Sequence, residues 1–462
     1  MTLSATFNPE QFLRDAFLKA IAAVHPAQCI PDYLSQVNLS VPKGRFIIIG
    51  AGKAAAAMAQ ATEIWCQRSW SNNWSESSPE YSQNSVHKRI EGLVVTRYGH
   101  GAACQYVEVI EAAHPVPDAA GEQAAQRMLQ LVQGLSADDF VLCLMSGGGS
   151  ALLSLPAPGI TAADKRAVNR ALLASGAAIS EMNCVRRHLS AIKGGHLALA
   201  CAPAKVLTLL ISDVPGDDPA VIASGPTIPD HSTPAQAWEI IQRYQLTLDP
   251  TVLARVQAVL QQPVNQGSHT CPLPNDPRLA NQSHVLLATA QTALEAVVKM
   301  AHANGIQPLL LGGSIEGDAS EVAKVHAGIA RQIQQYDQPI SKPCLIISGG
   351  ETTVTLRDSK HGRGGRNAEF MLSLAIALNG LPGVYALAGD TDGIDGTENT
   401  AAFFCGPEIL QQAEQQGLSA KSMLAQHDAW SFFDALQRTV STGPTCTNVN
   451  DLRLICLLNK AD

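Results

Sequence analysis

The sequence has few charged residues and no excess of basic ones. Only 16% of its 462 residues are Asp, Glu, Lys or Arg, and the formal net charge is −8. Proteins that bind nucleic acid or an anionic membrane surface usually carry a basic excess, so we expect neither as a partner. With 46% hydrophobic residues, the composition is instead typical of a compact soluble protein.

Paired cysteines and long apolar runs are also missing. The eleven cysteines contain no C-x-x-C pair and are odd in number, which argues against a disulfide framework and a cysteine zinc site. No apolar run approaches the roughly 20 residues that span a bilayer. The N-terminal helical pattern carries Glu10, Arg14 and Asp15, unlike a signal peptide. We therefore expect a cytoplasmic protein without a membrane partner.

Apolar runs that end in glycine-containing loops recur along the chain and alternate with helical patterns. Such runs predict parallel strands covered on both faces, and therefore an α/β fold. The length favours two domains, and the proline-rich segment 225–236 indicates a boundary near residue 235. We expect a Rossmann-like, mostly parallel sheet in residues 1–235 and a second α/β domain in residues 236–462. The active site is predicted in the cleft between them.

Three segments need separate comment beside this alternation of apolar strands and helices. Residues 67–90 are rich in Ser and Asn, and we predict a surface insertion without a chemical role. Residues 261–283 are rich in Gln, Pro and Asn and predict a long loop. The terminal strand at residues 453–458 has two possible places, because it either stays in the second domain or returns to the first.

The first glycine loop, from Gly50 to Ala55, has three interpretations. It follows an apolar strand and fits G-x-G-x-x-A, the dinucleotide fingerprint. The second strand runs into Arg97 instead of the acid that holds the ribose of NAD, although an arginine suits NADP. Lys53 inside the loop favours a phosphate or a substrate anion, because it adds an ammonium group to a helix N-terminus. A plain tight turn is the third alternative.

The run "MSGGGS" combines bare backbone with hydroxyl groups at the end of a strand. Consecutive glycines let backbone N–H groups converge on an anion, and the flanking serines add hydrogen bonds. It is not a Walker loop, because no G-K-S/T follows. The predicted anion-binding residues are Ser146, Gly147, Gly148, Gly149 and Ser150.

Carboxylates follow two further strands. Asp213 lies in "ISDVPGDD", and Asp390 and Asp392 lie in "AGDTDG". A carboxylate at a strand end can bind Mg²⁺ or accept the proton of an attacking hydroxyl group. We predict Asp213 and Asp390 as Mg²⁺ ligands, and Asp392 as a contact to the substrate.

The remaining candidates are one glutamate and four basic residues. Glu351 ends a strand and is followed by the glycine-rich "GRGGRN", in which Arg363 and Arg366 suit bidentate recognition of phosphoryl oxygens. Arg186 and Lys193 are seven residues apart on a predicted helix and are candidates for holding a substrate carboxylate. A solvated helix edge is the alternative for that pair.

These candidates share the chemistry of phosphoryl transfer. The sequence shows no nucleophile elbow and no cysteine–histidine pair, whereas it offers glycine loops, cations and strand-end carboxylates. Phosphoryl transfer needs mostly positioning and charge stabilisation, which such groups supply. The residues therefore predict a kinase without a Walker loop.

Several motifs resemble the type-II glycerate kinases, or glycerate 2-kinases, whose C-terminal half is the MOFRL domain. The resemblance extends from residue 50 to 452 and rests on "GAGKAAAAMA", "MSGGGSALLSLP", "ISDVPGDDPAVIASGPTIPD", "GRGGRNAEF" and "STGPTCTNVNDL". It implies a cytosolic enzyme that phosphorylates D-glycerate at the 2-hydroxyl group with ATP and Mg²⁺. Cys446 departs from the family's usual glycine in the last of these motifs.

The resemblance also assigns residues. The family's functional positions fall on Lys53, Asp213, Glu351, Arg366, Asp390 and Asp392. Of these, Lys53, Asp213 and Arg366 are the predicted catalytic residues. ATP phosphates are expected on the glycine run, and the carboxylate of glycerate is expected on Lys53 or on the pair Arg186 and Lys193.

Two other functions remain open at this point. Similar sequences have been labelled hydroxypyruvate reductases, so an NAD(P)H-dependent reductase is the first alternative. A non-catalytic sensor of sugar acids is the second. The sequence also leaves open whether the protein forms a homodimer.

Overall fold

The computed structural model of the protein describes residues 7–72, 90–262, 270–356 and 361–459. The chain divides into two compact units. The first unit is Cys29–Leu287, and the second unit combines Met1–Gln28 with Ala288–Asp462. Most of the predicted insertion at 67–90 lies outside the described residues.

Helices and strands alternate along most of the chain. The strands are β1 Phe46–Ala51, β2 Ile90–Arg97, β3 Val107–Ala112, β4 Phe140–Ser146, β5 Lys205–Ile211, β6 Gln282–Ala288, β7 Gln307–Gly312, β8 Gly317–Asp318, β9 Cys344–Gly350, β10 Thr352–Thr353, β11 Val384–Asp390, β12 Ala402–Cys405, β13 Thr439–Val440 and β14 Asp451–Leu457. The α-helices are α1 Pro9–Ala23, α2 Pro26–Gln36, α3 Ala55–Asn72, α4 Ala119–Leu131, α5 Gly149–Leu152, α6 Ala162–Ser175, α7 Ile179–His188, α8 His196–Cys201, α9 Pro234–Arg243, α10 Pro250–Leu260, α11 Ala290–Ala303, α12 Ala319–Tyr336, α13 Arg366–Leu378, α14 Ile409–Gln415, α15 Ala420–Ala425 and α16 Ala429–Ala435.

The first unit is built on a six-stranded sheet of order β3-β2-β1-β4-β5-β6. The pairings of β1 with β2 and β4, of β2 with β3, and of β4 with β5 are all parallel. Every residue of β1 is buried, as expected for an apolar strand covered on both faces. The strand order reverses between β1 and β4. In open parallel sheets this reversal is where ligands bind.

The first unit extends well beyond the predicted boundary at residue 235. Ile240 and Ile241 of α9, together with Val256 and Leu260 of α10, belong to one buried cluster with Leu172 of α6. The strand β6 then joins the same sheet at its edge. The division therefore falls near residue 288, because these helices and this strand bury their apolar residues in the first unit.

The second unit contains a mixed six-stranded sheet of order β13-β12-β11-β14-β9-β7. The strand β14 runs antiparallel to both of its neighbours, β11 and β9, whereas β7 and β9 are parallel. The terminal strand therefore stays in the second unit. The helix α13 is buried along most of its length, with Phe370, Met371, Leu372 and Leu374 all 0% exposed.

The N-terminal helix α1 also belongs to the second unit. Its buried face includes Phe12, Leu13 and Phe17, and the helix packs against α11 and β11. Near its end, the carbonyl of Val24 accepts a hydrogen bond from the Thr447 hydroxyl at 2.8 Å. The amphipathic pattern predicts this helix but does not indicate which sheet it covers.

The architecture confirms the predicted α/β class with a Rossmann-like first sheet and a second α/β unit. All eleven cysteines lie within the described residues and have free thiols. Among the helices described, none combines the length and the apolar character needed to cross a bilayer.

Candidate functional site

Two loops flank the strand-order reversal of the first unit, and backbone hydrogen bonds tie them together. The N–H of Lys53, after β1, donates to the carbonyl of Gly147, after β4, at 2.8 Å. The N–H of Ala54 donates to Ser146 Oγ at 3.0 Å. In a dinucleotide fingerprint, N–H groups at this helix N-terminus face the pyrophosphate. Here the N–H groups of Lys53 and Ala54 donate to the neighbouring loop instead.

The glycine run is shaped by the side chains packed against it. A side chain at Gly147 would overlap the carboxylate of Asp213, which follows β5. A Cβ atom at Gly148 would lie 3.1 Å from His114 Nε2 and 3.4 Å from Lys53 Cγ. Gly148 also has a φ of 80°, in the left-handed region that favours glycine. The side chains of Lys53, His114 and Asp213 thus lie against the run.

The serine that ends this run contacts an unusual turn after β5. Ser150 Oγ lies 2.7 Å from Ser224 Oγ. Ala223 and Ser224 both have positive φ, 52° and 61°, which is costly for residues with a Cβ atom and persists only where the surroundings impose it. A Cβ atom at Gly149 would lie 2.6 Å from that of Ala223. The third glycine therefore leaves room for the turn.

Four cationic side chains line one cavity in the first unit, beside Ser150. They are Lys165, Arg166, Arg186 and Lys193, and the cavity volume is about 190 Å³. The helix α7 ends at His188, so Arg186 and Lys193 do not share one helix as predicted. The turn after α7 nevertheless returns Lys193 to the same cavity, where its Nζ donates to the Ser150 carbonyl at 2.6 Å.

Three neighbouring strands of the second unit bring acidic residues side by side. Asp451, the first residue of β14, pairs with Asp390 at the end of β11 and with Gly350 at the end of β9. Because β14 runs antiparallel to both, its first residue lies at the same edge as their last residues. Glu351 follows Gly350 at that edge.

Arg366 begins α13 and forms ion pairs with three of these carboxylates. Its Nε lies 2.8 Å from Asp451 Oδ1, and its Nη2 lies 2.8 Å from Asp390 Oδ2. Its Nη1 lies 3.2 Å from Glu351 Oε1. Burial disfavours the charged guanidinium, but the carboxylates outweigh this effect and raise the pKa of Arg366 above its ordinary value. The side chain is 24% exposed, so one side of it still reaches solvent.

The N-terminus of α13 is occupied by a carboxylate of the protein itself. Asp395 Oδ1 accepts from the N–H of Asn367, and its Oδ2 accepts from the N–H of Ala368, both at 3.0 Å. Burial raises the pKa of Asp395 to about 6. The dipole of this helix therefore stabilises Asp395 and orients the start of the helix, where Arg366 lies.

Two predicted contacts of the second unit have other partners. Arg363 pairs with Glu398, with Nη2 2.6 Å from Oε2, and its guanidinium lies 3.8 Å from the centre of the Trp430 ring. Asp392 Oδ1 accepts from the N–H of Ile394 at 2.9 Å. Arg363 therefore braces the glycine-rich loop, and Asp392 shapes the turn after β11.

Comparison with known proteins gives the family. Two family profiles match: a domain of unknown function, DUF4147, at residues 12–261, and the MOFRL family at residues 344–451. A D-glycerate 2-kinase of Thermotoga maritima is 34% identical over 451 residues, covering 96% of this chain and 98% of the relative. The chain belongs to the type-II glycerate kinase family.

Structural comparison supports the same membership. A crystal structure of a glycerate kinase from Thermotoga maritima matches this glycerate kinase family member with a TM-score of 0.83 at 33% identity. The match covers 97% of this chain and 99% of that chain. A relative from Agrobacterium vitis, 46% identical over 97% of this chain and 95% of its own, carries the provisional name hydroxypyruvate reductase. The resemblance predicted from the motifs is confirmed, and so is the second label found within the family.

Among the described residues, the predicted carboxylates do not form a group of three metal ligands. Asp213 belongs to the first unit and Asp390 to the second. Within the described ranges, the group of three possible ligands that lie within 4.8 Å of one another is His188, Asp230 and Cys271. Asp230 is already paired with Arg187 at 2.7 Å. Mg²⁺ keeps several waters and needs only one or two protein carboxylates when substrate phosphates complete its shell, so either Asp213 or Asp390, each within its own unit, suits it chemically.

The structure thus gathers most of the predicted residues of this glycerate kinase family member into two clusters. The first unit brings Lys53 and Asp213 to the glycine run, and Arg186 and Lys193 to the adjoining cavity. The second unit gathers Glu351, Asp390 and Arg366. Sequence reasoning missed His114, Lys165, Ser224 and Asp451. Three of them had a signal: His114 follows the end of β3, and Ser224 and Asp451 lie within motifs that carry the family resemblance.

Proposed function

We propose that this protein transfers the γ-phosphoryl group of ATP to the 2-hydroxyl group of D-glycerate and releases 2-phosphoglycerate and ADP. The observation that carries the proposal is the convergence of Lys53, Asp213 and the glycine run at the strand-order reversal of the first unit. Catalysis of phosphoryl transfer consists mostly of positioning and charge stabilisation. A cation, a carboxylate and a glycine-rich loop with accessible backbone supply both.

The first unit contributes the acceptor chemistry in this proposal. The carboxylate of Asp213 takes the proton of the 2-hydroxyl group as its oxygen bonds to the γ-phosphorus atom. The bond from that phosphorus to the bridging oxygen of ADP breaks in the same step. The ammonium of Lys53 offsets negative charge on the phosphoryl oxygens, and the glycine run from Ser146 to Ser150 lets its backbone approach them closely.

The second unit contributes an oriented arginine. Asp390 and Asp451 hold the guanidinium of Arg366 from two sides, so its position is fixed before the phosphoryl group arrives. The 24% exposed side chain of Arg366 can still contact a phosphate group. In this unit Asp390 is the residue that we propose to hold Mg²⁺, which when bound would neutralise part of the phosphate charge.

A reductase is the second candidate, because the relative from Agrobacterium vitis carries that name. Hydride transfer from NAD(P)H would require the loop after β1 to bind a pyrophosphate. The N–H groups of Lys53 and Ala54 are instead bonded to Gly147 and Ser146. Because these two N–H groups already have partners within the protein, the loop is less suited to a pyrophosphate, and this favours the kinase over the reductase.

The position of the phosphate on the product tests the proposal. Purified protein is incubated with D-glycerate, ATP and Mg²⁺, and enolase is added with or without phosphoglycerate mutase. Enolase alone should produce phosphoenolpyruvate absorbance at the full rate, because it accepts 2-phosphoglycerate directly. If absorbance appears only when the mutase is present, the enzyme phosphorylates the 3-hydroxyl group and the regiochemistry proposed here is wrong.

A further inference from the structure

The cavity beside Ser150 carries an unbalanced positive charge. Lys165, Arg166, Arg186 and Lys193 all line it. The acidic side chains of its lining are Asp118 and Glu122. Asp118 is engaged elsewhere, since it accepts from the Tyr98 hydroxyl and the Gly121 N–H and caps α4.

Three of these cations, Lys165, Arg186 and Lys193, donate hydrogen bonds to neutral oxygens. Lys193 Nζ donates to the Ser150 carbonyl at 2.6 Å, and Lys165 Nζ donates to the Leu155 carbonyl at 3.4 Å. Arg186 Nε donates to the side-chain oxygen of Asn169 at 2.6 Å. Across the described residues, none of the three lies within 4 Å of a carboxylate oxygen in an ion pair. Glu122 lies in the same lining and opposes part of this charge, but the four cations outnumber the acids of the lining. Removing excess positive charge from water is costly, so the arrangement favours a bound anion.

The size of the cavity limits the anion. About 190 Å³ is below the roughly 300 Å³ at which pockets for drug-sized ligands begin. A nucleotide therefore exceeds it, whereas a three-carbon acid fits. The cavity also adjoins the catalytic loops, because Ser150 ends the glycine run and Pro115 follows His114.

We propose that this cavity binds the carboxylate of the small hydroxy acid that the enzyme phosphorylates, and that Lys165 is a substrate-binding residue together with Arg186 and Lys193. The identity of the acid as D-glycerate rests on the proposed function. The anionic character of the ligand rests on the cavity alone. Lys165 is a binding residue that neither the motifs nor the family resemblance assigned.

Anion binding in this cavity is coupled to proton uptake. Burial lowers the pKa of Lys165 to about 8, with Glu122 opposing the shift and Arg186 adding to it. Burial also lowers the pKa of Lys193 well below its ordinary value, with Lys165 and Arg186 adding to the effect. A bound carboxylate favours the protonated lysines. Below pH 8 Lys165 is charged and attracts the acid, and as the pH rises through 8 the empty cavity loses that proton and affinity falls.

The test combines binding and kinetics on the full chain. D-glycerate binding is measured by calorimetry without nucleotide at pH 8, in two buffers of different ionisation enthalpy, and KM is measured from pH 6.5 to 9.5. Wild type should take up protons on binding, and its KM should rise above pH 8. Lys165→Met should raise Kd and KM about 10- to 100-fold, the range for a charged hydrogen bond, with kcat within about threefold.

Two further variants separate binding from folding. Lys165→Arg keeps the charge at all these pH values, so it should restore affinity and flatten the rise of KM above pH 8. Arg170→Gln changes an exposed residue of the same helix that does not line this cavity, and should match wild type. Thermal melts should show every variant folded, because replacing a desolvated lysine by methionine removes a burial cost.

The outcomes distinguish the two proposals. If wild type phosphorylates D-glycerate while Lys165→Met has unchanged KM and no altered pH profile, the cavity assignment is wrong and the kinase proposal stands. If D-glycerate binds in a Lys165-dependent manner but no ATP is consumed, the proposed function is wrong and the anion site stands. A wild type that binds D-glycerate without proton uptake also overturns the assignment.

Discussion

Replacing Lys53 by alanine is expected to lower kcat/KM for D-glycerate by about 10²- to 10³-fold, the range for removing one group that stabilises charge in a transition state. Lys53 follows β1 at the strand-order reversal. Its Cγ atom lies 3.4 Å from where a Cβ atom on Gly148 would be. Its backbone N–H, which ties it to Gly147, is kept in the variant. We therefore expect the free energy of unfolding to change by less than about 1 kcal/mol.

Steady-state kinetics and urea unfolding check this prediction. Lys205→Ala is the matched control, because Lys205 is an exposed lysine at the opposite end of β5 in the same sheet. It should retain wild-type kinetics. Lys53→Ala retaining more than a third of wild-type kcat/KM would remove the lysine from the mechanism.

Replacing Arg366 by methionine is expected to cost both stability and activity. The change leaves the buried carboxylates of Asp390 and Asp451 without their shared guanidinium, and breaking a buried ion pair from one side costs about 3–5 kcal/mol. We expect the free energy of unfolding to fall by about 3 kcal/mol, and kcat to fall at least 100-fold under conditions where the variant is folded.

Arg363→Met is the matched control for that experiment. Arg363 lies three residues before Arg366, in the loop that leads into α13, but it is 56% exposed and pairs with a single carboxylate, Glu398. Exposed ion pairs contribute about 1 kcal/mol or less, so this variant should lose little stability. Equal destabilisation of the two variants, measured by urea unfolding at pH 7.5, would contradict the ion-pair cluster described for Arg366.

The sequence could predict the first unit's site because its parts follow parallel strands. Lys53, Ser146 and Asp213 each follow an apolar run, and the carboxyl ends of parallel strands share one edge of a sheet. Their proximity therefore follows from strand type alone, before the strand order is known. The same argument would have included His114, which follows β3.

Other parts of the site depend on information that local patterns do not carry. Asp451 joins Arg366 only because β14 lies antiparallel between β9 and β11, which the chain reveals only once it is folded. Lys165 lies within the amphipathic helix α6, and its spacing from the apolar residues of that helix predicts only a lysine exposed to solvent. Arg363 and Arg366 look equivalent in "GRGGRN", and only their partners separate them.

The predicted boundary near residue 235 differs from the observed division for a similar reason. Prolines interrupt the chain there, but they begin helices that pack back onto α6 and α7. Proline restricts the local backbone and carries no information about which core the next helix joins. The packing of Ile240 and Ile241 against the helices of the first unit places this segment in that unit.

ADP release from ATP, measured with D-glycerate and Mg²⁺ and again without the acid, tests the central claim most directly. The same preparation is then offered hydroxypyruvate with NADH and with NADPH. We predict ADP release that depends on D-glycerate and falls at least about 100-fold in Lys53→Ala, with no oxidation of either nicotinamide. Oxidation of NADH or NADPH by hydroxypyruvate, with no ADP release in the presence of D-glycerate, would contradict the kinase account.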